Sequence, residues 1–267
     1  MPEESTFAKI DRSVPHSARI YDYWLGGKDN FAADRAVAEA TAKASPGVVQ
    51  GARDNRAFLG RAVRHLAEQG VTQFLDIGTG IPTQGNTHEV AQAVNPAARI
   101  VYVDNDPIVM VHARALLKSD PAGRTAYIEA DLREPDSILG HPRLLETIDL
   151  SKPVGLVIVG TLMFIKDAED PVGLVARYSA ALAAGSYLAV SHVTADFAPK
   201  MVGASAEAYN SEALGFTPRT GEQVMRFFDG YELVEPGLVA VFDWRPDTDE
   251  RRAPEEAGAY GAVGRKL

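Results

Sequence analysis

Residues 73–83 read Q-F-L-D-I-G-T-G-I-P-T, and the fold turns on this stretch. Phe74, Leu75 and Ile77 predict a short buried strand over 74–77 that runs into a turn at Gly78 and Gly80. Asp76 stands two residues before the first glycine. From residue 71 onward strands and helices alternate. Further strands are expected over 99–104, 125–130, 154–160 and 186–193. The uninterrupted apolar run V-G-L-V-I-V-G at 154–160 suits the centre of a parallel sheet covered on both faces. Helices are expected over 85–94, from Asp106-Pro107 to about 117, and from Asp170-Pro171 to 185. The last two open with an acidic cap followed by proline. Residues 137–147 read as irregular or helical, and 204–213 as helical. Thr220 and Gln223 form a capping box that opens a helix to 228. Two strands, 231–235 and 238–243, joined by Pro236-Gly237, predict a terminal hairpin, and the polar 246–257 a surface loop.

Upstream of the turn the pattern is different. Residues 1–14 read as a loose arm. Residues 15–35 place Tyr21, Tyr23, Trp24 and Phe31 around Gly26-Gly27, as a helix ending at the glycines with its aromatics in a small core. The same stretch reads alternatively as a lid or pocket wall, with Lys28, Asp29 and Asn30 presented by a loop. A helix follows over 32–44. A clearer one spans 53–69, with Phe58, Leu59, Val63 and Leu66 on one face and Gly70 to stop it. The expected organisation is one integrated unit: a helical extension or lid over 1–70, and an α/β domain over 71–267. Five strands with crossovers give a mostly parallel sheet with right-handed connections, seven-stranded once the hairpin is added.

Composition narrows the function. A chain of 267 residues favours one elaborated domain. A net charge of −9 argues against a nucleic-acid-coating surface. With no cysteine, disulfides and thiolate chemistry are excluded. The six histidines are too scattered for a metal site, so no metal is expected. The acidic start M-P-E-E-S-T is unlike a signal peptide. The longest apolar stretch, 153–165, is too short to span a bilayer, so no membrane role and a cytoplasmic location are expected.

In a parallel sheet of this kind, ligands sit beyond the carboxyl ends of the strands. The notable polar residues fall there: Asp76 and Gly78, then Asp104 and Asn105, then Asp131, then Gly160 and Thr161. A dinucleotide fingerprint needs a third glycine, and Thr83 stands in its place. The Asp76-x-Gly78-x-Gly80 pattern resembles the first motif of the class I S-adenosylmethionine-dependent methyltransferases. The chemistry suits that cofactor, whose product is S-adenosylhomocysteine. A strand-end carboxylate accepts from the ammonium of the amino-acid tail. Glycines admit the tail close to the backbone. Asp104, at the end of the second strand, is placed to accept from both ribose hydroxyls. Asp131 is placed to accept from the adenine amino group, with the Leu132 N–H an expected donor to the ring.

The likeness extends over nearly the whole chain. P-H-S-A-R-I-Y-D-Y-W-L-G-G-K-D-N-F-A-A-D-R, F-L-D-I-G-T-G-I-P-T and V-Y-V-D-N-D-P-I-V-M-V-H-A-R-A-L-L resemble a family of actinobacterial S-adenosylmethionine methyltransferases of unassigned substrate. S-Y-L-A-V-S-H-V-T-A-D and the C-terminal Y-G-A-V-G-R-K continue it. The resemblance implies a Rossmann-like methyltransferase domain with a helical N-terminal extension, and draws Gly26, Gly27, Lys28 and Asn30 toward the cofactor or acceptor pocket. The chain departs from such sequences after the fourth strand, where Leu162-Met163-Phe164 replaces a frequent histidine. An acceptor pocket at Phe164 is then more apolar.

No catalytic base is assigned. His192, at the end of the fifth strand, and His16 are the candidates, against structural roles for both. Tyr21, Tyr23 and Trp24 are candidates to line an acceptor site or steady a sulfonium by cation–π contact. His88-Glu89-x-x-Gln92 lacks the second histidine of a zinc helix, and no nucleophile elbow or phosphate loop is present. The reading favoured is adenosylmethionine-dependent methyl transfer to a small-molecule acceptor. The alternatives are a non-catalytic adenosylmethionine sensor and, less favoured, an NAD-dependent oxidoreductase. The oligomeric state is left open.

Overall fold

The computed structural model describes residues 10–109, 111, 119–211, 214–249 and 252–267. Three helices come first, α1 (Ser17–Trp24), α2 (Ala32–Ala44) and α3 (Val48–Glu68). Then follow β1 (Gln73–Ile77), α4 (Thr87–Val94), β2 (Arg99–Asp104) and β3 (Arg124–Glu129). The middle of the chain holds α5 (Pro135–Leu139), α6 (Pro142–Thr147), β4 (Gly155–Val159), α7 (Pro171–Ala180) and β5 (Tyr187–Val193). It closes with α8 (Pro199–Ser211), α9 (Gly221–Met225), β6 (Tyr231–Leu233), β7 (Val239–Ala240) and β8 (Ala259–Lys266). A helix opens at Pro107, but most of the one expected to 117 lies outside the described residues, as do 1–9 of the arm, the end of the helix expected over 204–213, and the middle of the 246–257 loop.

The strand order is β3-β2-β1-β4-β5-β8-β6, with β7 also paired to β8. Strands β1 to β5 are mutually parallel, as the alternation of elements predicts. Strand alternation divides their side chains between two layers. Phe74, Tyr102, Val157 and Ala189 pack with Phe58, Val63 and Leu66 of α3. Leu75, Val103, Ile158 and Val190 face the other way, against Ile138, Leu174 and Phe227. Phe58, Val63 and Leu66 are fully buried, each worth roughly 1.5–3 kcal/mol relative to exposure. The apolar stripe of α3 is thus a layer of the main core.

The C-terminal expectation needs correction. The two strands after residue 230 do not form a hairpin with each other. They lie end to end along one edge of β8, Leu233 opposite Gly264 and Val239 opposite Gly261. β8 runs antiparallel between β5 and this interrupted edge, which makes the sheet eight-stranded rather than seven. The sequence A-Y-G-A-V-G-R-K hides a strand because glycine is a weak strand former. Here the glycines answer to packing. A Cβ at Gly261 would strike the Phe58 ring, and one at Gly264 the Phe228 and Tyr231 side chains.

Candidate functional site

The turn after β1 is held by backbone bonds to β2. Gly78 N donates to Val103 O at 2.8 Å, and Gly80 N to Asp104 Oδ2 at 2.8 Å. Both glycines have left-handed backbones, φ +71° and +70°, which a side chain would strain. A Cβ on Gly78 would also run into Thr161, at the end of β4.

Asp76 has the parity of Phe74, so its carboxylate faces the α3 and α4 side. Oδ2 accepts from Thr87 Oγ1 at 2.6 Å and from Thr79 Oγ1 at 3.3 Å. It is only 4% exposed, and burial pushes its pKa up to about 6 against these donors and Arg56. Asp104 is also buried and raised by burial, opposed by the backbone N–H groups of Asp106 and Gly80.

Sequence reasoning missed Arg56. It projects from α3, its Nη2 donating to Asn86 Oδ1 at 3.0 Å, while Nε is buried without a partner among the described residues. The signal was present: Asn55 and Arg56 continue the buried stripe of Leu59 and Val63 one turn toward the N-terminus, where apolar residues are expected.

These groups border one cavity above the carboxyl ends of the strands, and it is polarised along the sheet. Over β2 and β1 its lining includes Asp104, Asn105, Asp76, Gly78, Gly80 and Arg56. Over β4, β5 and β8 it includes Gly160, Met163, Phe164, Val193 and Ala259. The strand order alone separates β2 from β5 by about 14 Å at the usual inter-strand spacing.

The N-terminal helices close the cavity. His16, Tyr21 and Trp24 all line it. His16 is anchored by its backbone N–H on Asp34 Oδ1, and its Nδ1 lies 3.2 Å from Asp106 Oδ2. Arg19 holds the same Asp106 carboxylate bidentately at 2.8 and 3.0 Å, which ties α1 to the end of β2. Tyr21 donates to Ala52 O at 2.8 Å and accepts from Asn55 Nδ2 at 3.0 Å. Burial raises its pKa, so it stays a phenol at neutral pH.

Other expected residues lie elsewhere. Asp131 does not border the cavity; its carboxylate accepts from Arg133 N at 2.9 Å and pairs with the Arg133 guanidinium at 3.2 Å. Leu132 is buried in the core, its carbonyl accepting from Tyr178 Oη at 2.8 Å. Gly26, Gly27, Lys28 and Asn30 stand away from the cavity as well. Their loop is built around the buried Asp22 carboxylate, which accepts from Asp29 N and Asn30 Nδ2 at 3.0 and 2.8 Å. Tyr23 donates outward to Glu39. His192 is off the cavity for a reason of parity. Ser191 and Val193 face α3, so His192 points through the other face, stacked on Phe227. Its Nδ1 donates to Val193 O at 2.8 Å and its Nε2 accepts from Arg219 Nη1 at 2.9 Å. Burial lowers its pKa to about 4, a neutral structural imidazole.

A model of an S-adenosyl methyltransferase family matches residues 3–267. The chain belongs to this S-adenosyl methyltransferase family. It is similar to the solved structure of a DUF574 family protein from Streptomyces avermitilis, 49% identical, covering 97% of this chain and 100% of that one with a TM-score of 0.94. A candidate methyltransferase from Thermobifida fusca is 44% identical over 96% of each chain, with a TM-score of 0.89. A S-adenosylmethionine-dependent methyltransferase from Anabaena variabilis, 12% identical, shares the fold over 97% of this chain and 98% of that one at a TM-score of 0.52. No curated protein matches. The fold is the Rossmann-like class I methyltransferase fold, and the methyl donor of this S-adenosyl methyltransferase is S-adenosylmethionine. Among the described residues no helix is long and apolar enough to cross a membrane, and no cluster of His, Asp and Glu could hold a metal.

Proposed function

We propose that the protein transfers a methyl group from S-adenosylmethionine to a small-molecule acceptor enclosed in the same cavity. The carrying observation is the polarisation of that cavity: among the described residues its charged lining lies over β1 and β2, and the remainder is apolar or uncharged. The charged half fits a zwitterionic amino-acid tail. Asp76 faces it as a buried anion, and Arg56 offers a buried Nε with no partner of its own among the described residues. Asp76 would accept from the tail ammonium, Arg56 would donate to the tail carboxylate, and Asp104 would accept from the ribose hydroxyls. Gly78 and Gly80 allow close backbone approach.

When bound, the cofactor supplies a methyl group made electrophilic by its sulfonium. The chain supplies position. Holding a nucleophile in line is worth roughly 7–11 kcal/mol of barrier in well-oriented systems. Helices α1 to α3, within the 1–70 segment, serve as the wall or lid that excludes water, with Tyr21 and Trp24 facing inward. No residue is assigned as a general base: Tyr21 donates its proton to a carbonyl, and His192 lies across the sheet.

Isothermal titration with S-adenosylmethionine and S-adenosylhomocysteine tests the reading. Binding of both, and release of adenosylhomocysteine in the presence of an accepted small molecule, is the expected result. Folded protein that binds neither would refute it. Binding without turnover across a broad set of small molecules, peptides and proteins would favour a sensor.

A further inference from the structure

The half of the cavity over β4, β5 and β8 has a composition that speaks to the acceptor. Five aromatic rings wall it: Tyr21 and Trp24 of α1, Phe164 after β4, Tyr209 of α8 and Phe216 beyond it. Tyr209 is the centre of the group. Its ring centroid lies 6.1 Å from Trp24, 5.9 Å from Phe164 and 5.0 Å from Phe216. Methyl-bearing side chains, among them Met163, Met201 and Val202, fill in around the rings.

Polar groups in this half are mostly engaged. Gly160 N donates to Ser191 Oγ at 2.9 Å, Ser191 Oγ donates to Asn55 Oδ1, and Asn55 Nδ2 donates to Tyr21. Tyr21 ends the chain on the Ala52 carbonyl. Tyr209 is different. It is only 3% exposed, yet its hydroxyl takes no hydrogen bond among the described residues. The hydroxyl opens to the cavity, where a ligand group can replace water as its partner. Among the described residues the charged lining groups, Arg56, Asp76 and Asp104, stand on the β1 and β2 side. A charged molecule entering the aromatic half would lose its hydration with no opposite charge to meet it.

We infer that the pocket lined by Trp24, Phe164, Tyr209 and Phe216 binds the methyl acceptor, and that this acceptor is an uncharged planar aromatic molecule with a hydrogen-bonding group that meets the Tyr209 hydroxyl. The inference rests on the proposed methyltransferase reading. Flat rings recover the stacking and edge contacts that these four side chains offer, and the lone hydroxyl sets orientation.

The test is a sequential titration. Protein is first titrated with adenosylhomocysteine, and the saturated complex then with 2-naphthol, naphthalene or naphthalene-2-carboxylate. The expected result is that 2-naphthol binds at least tenfold more tightly than the carboxylate. Tyr209→Phe weakens 2-naphthol about fivefold or more and leaves naphthalene unchanged, because the lost hydroxyl supports nothing else. Phe216→Ala weakens both neutral probes. Adenosylhomocysteine binding followed by no probe binding, by a preference for the carboxylate, or by a Tyr209→Phe variant indistinguishable from the parent overturns the inference while the methyltransferase reading stands. No adenosylhomocysteine binding at the first stage overturns both.

Discussion

The Gly80 amide donates to Asp104 Oδ2 across 2.8 Å, so the glycine turn after β1 and the carboxylate at the end of β2 are one structural unit. The other oxygen of Asp104 accepts from Asp106 N at 2.9 Å. Both oxygens are fixed before any ligand arrives, and each keeps a further lone pair.

Asp104→Ala should therefore lose about a hundredfold in affinity for adenosylhomocysteine, the equivalent of two charge-assisted bonds at the low end of their range. Asn105→Ala, on an exposed side chain at the rim, should change affinity by less than threefold. Titration calorimetry of the two variants measures the contrast.

Arg56→Met should weaken cofactor binding at least tenfold while leaving the fold intact, since the stem keeps its packing and the fold loses only the Nη2 contacts to Asn86 and Gln84. Arg56→Lys should recover little of that loss, because an ammonium does not reproduce the guanidinium fork. Affinity by calorimetry, paired with a melting curve, checks both.

The raised pKa of Asp76 sets a pH dependence. Binding of a tail ammonium needs the carboxylate ionised, so affinity should hold above pH 6 and fall below it, approaching tenfold per pH unit. In the free protein the sign is reversed. A carboxyl whose folded pKa exceeds its unfolded value stabilises below about pH 4 and loses that contribution as pH rises through 6. Asp76→Asn should then raise the melting temperature at pH 7.5, by at most the equivalent of about 3 kcal/mol, while abolishing tight cofactor binding. A flat affinity from pH 7.5 to 5 would contradict the assignment.

His192→Gln should lower stability by about 1–3 kcal/mol, through the lost contact to Arg219, and leave adenosylhomocysteine affinity and any pH–rate profile unmoved. A lost limb in the pH–rate profile would restore His192 as a base.

The parallel sheet was legible because β1 to β5 announce themselves: apolar runs, the first four closed by glycine or aspartate, separated by capped helices. β8 was not, since Gly261 and Gly264 are chosen by contact with Phe58 and Tyr231, which lie far away in sequence. At the site, Asp76, Gly78, Gly80 and Asp104 follow from strand ends and come together. Asp131 occupies the same formal position, but Arg133, two residues on, takes its carboxylate. The Gly26-Gly27 motif looked like a pocket wall because its polar residues cluster. That cluster closes on Asp22 instead. His192 could have been set aside from alternation along β5 alone. Arg56 and Tyr209 required the packed structure: nothing local in the sequence says that one Nε or one hydroxyl will be left without a partner.

The most direct measurement is a crystal structure with adenosylhomocysteine bound. The account predicts the ribose on Asp104, the amino-acid tail between Asp76 and Arg56, and the sulfur turned toward Phe164 and Tyr209. A molecule bound elsewhere, or one whose sulfur faces away from the aromatic half, would contradict it.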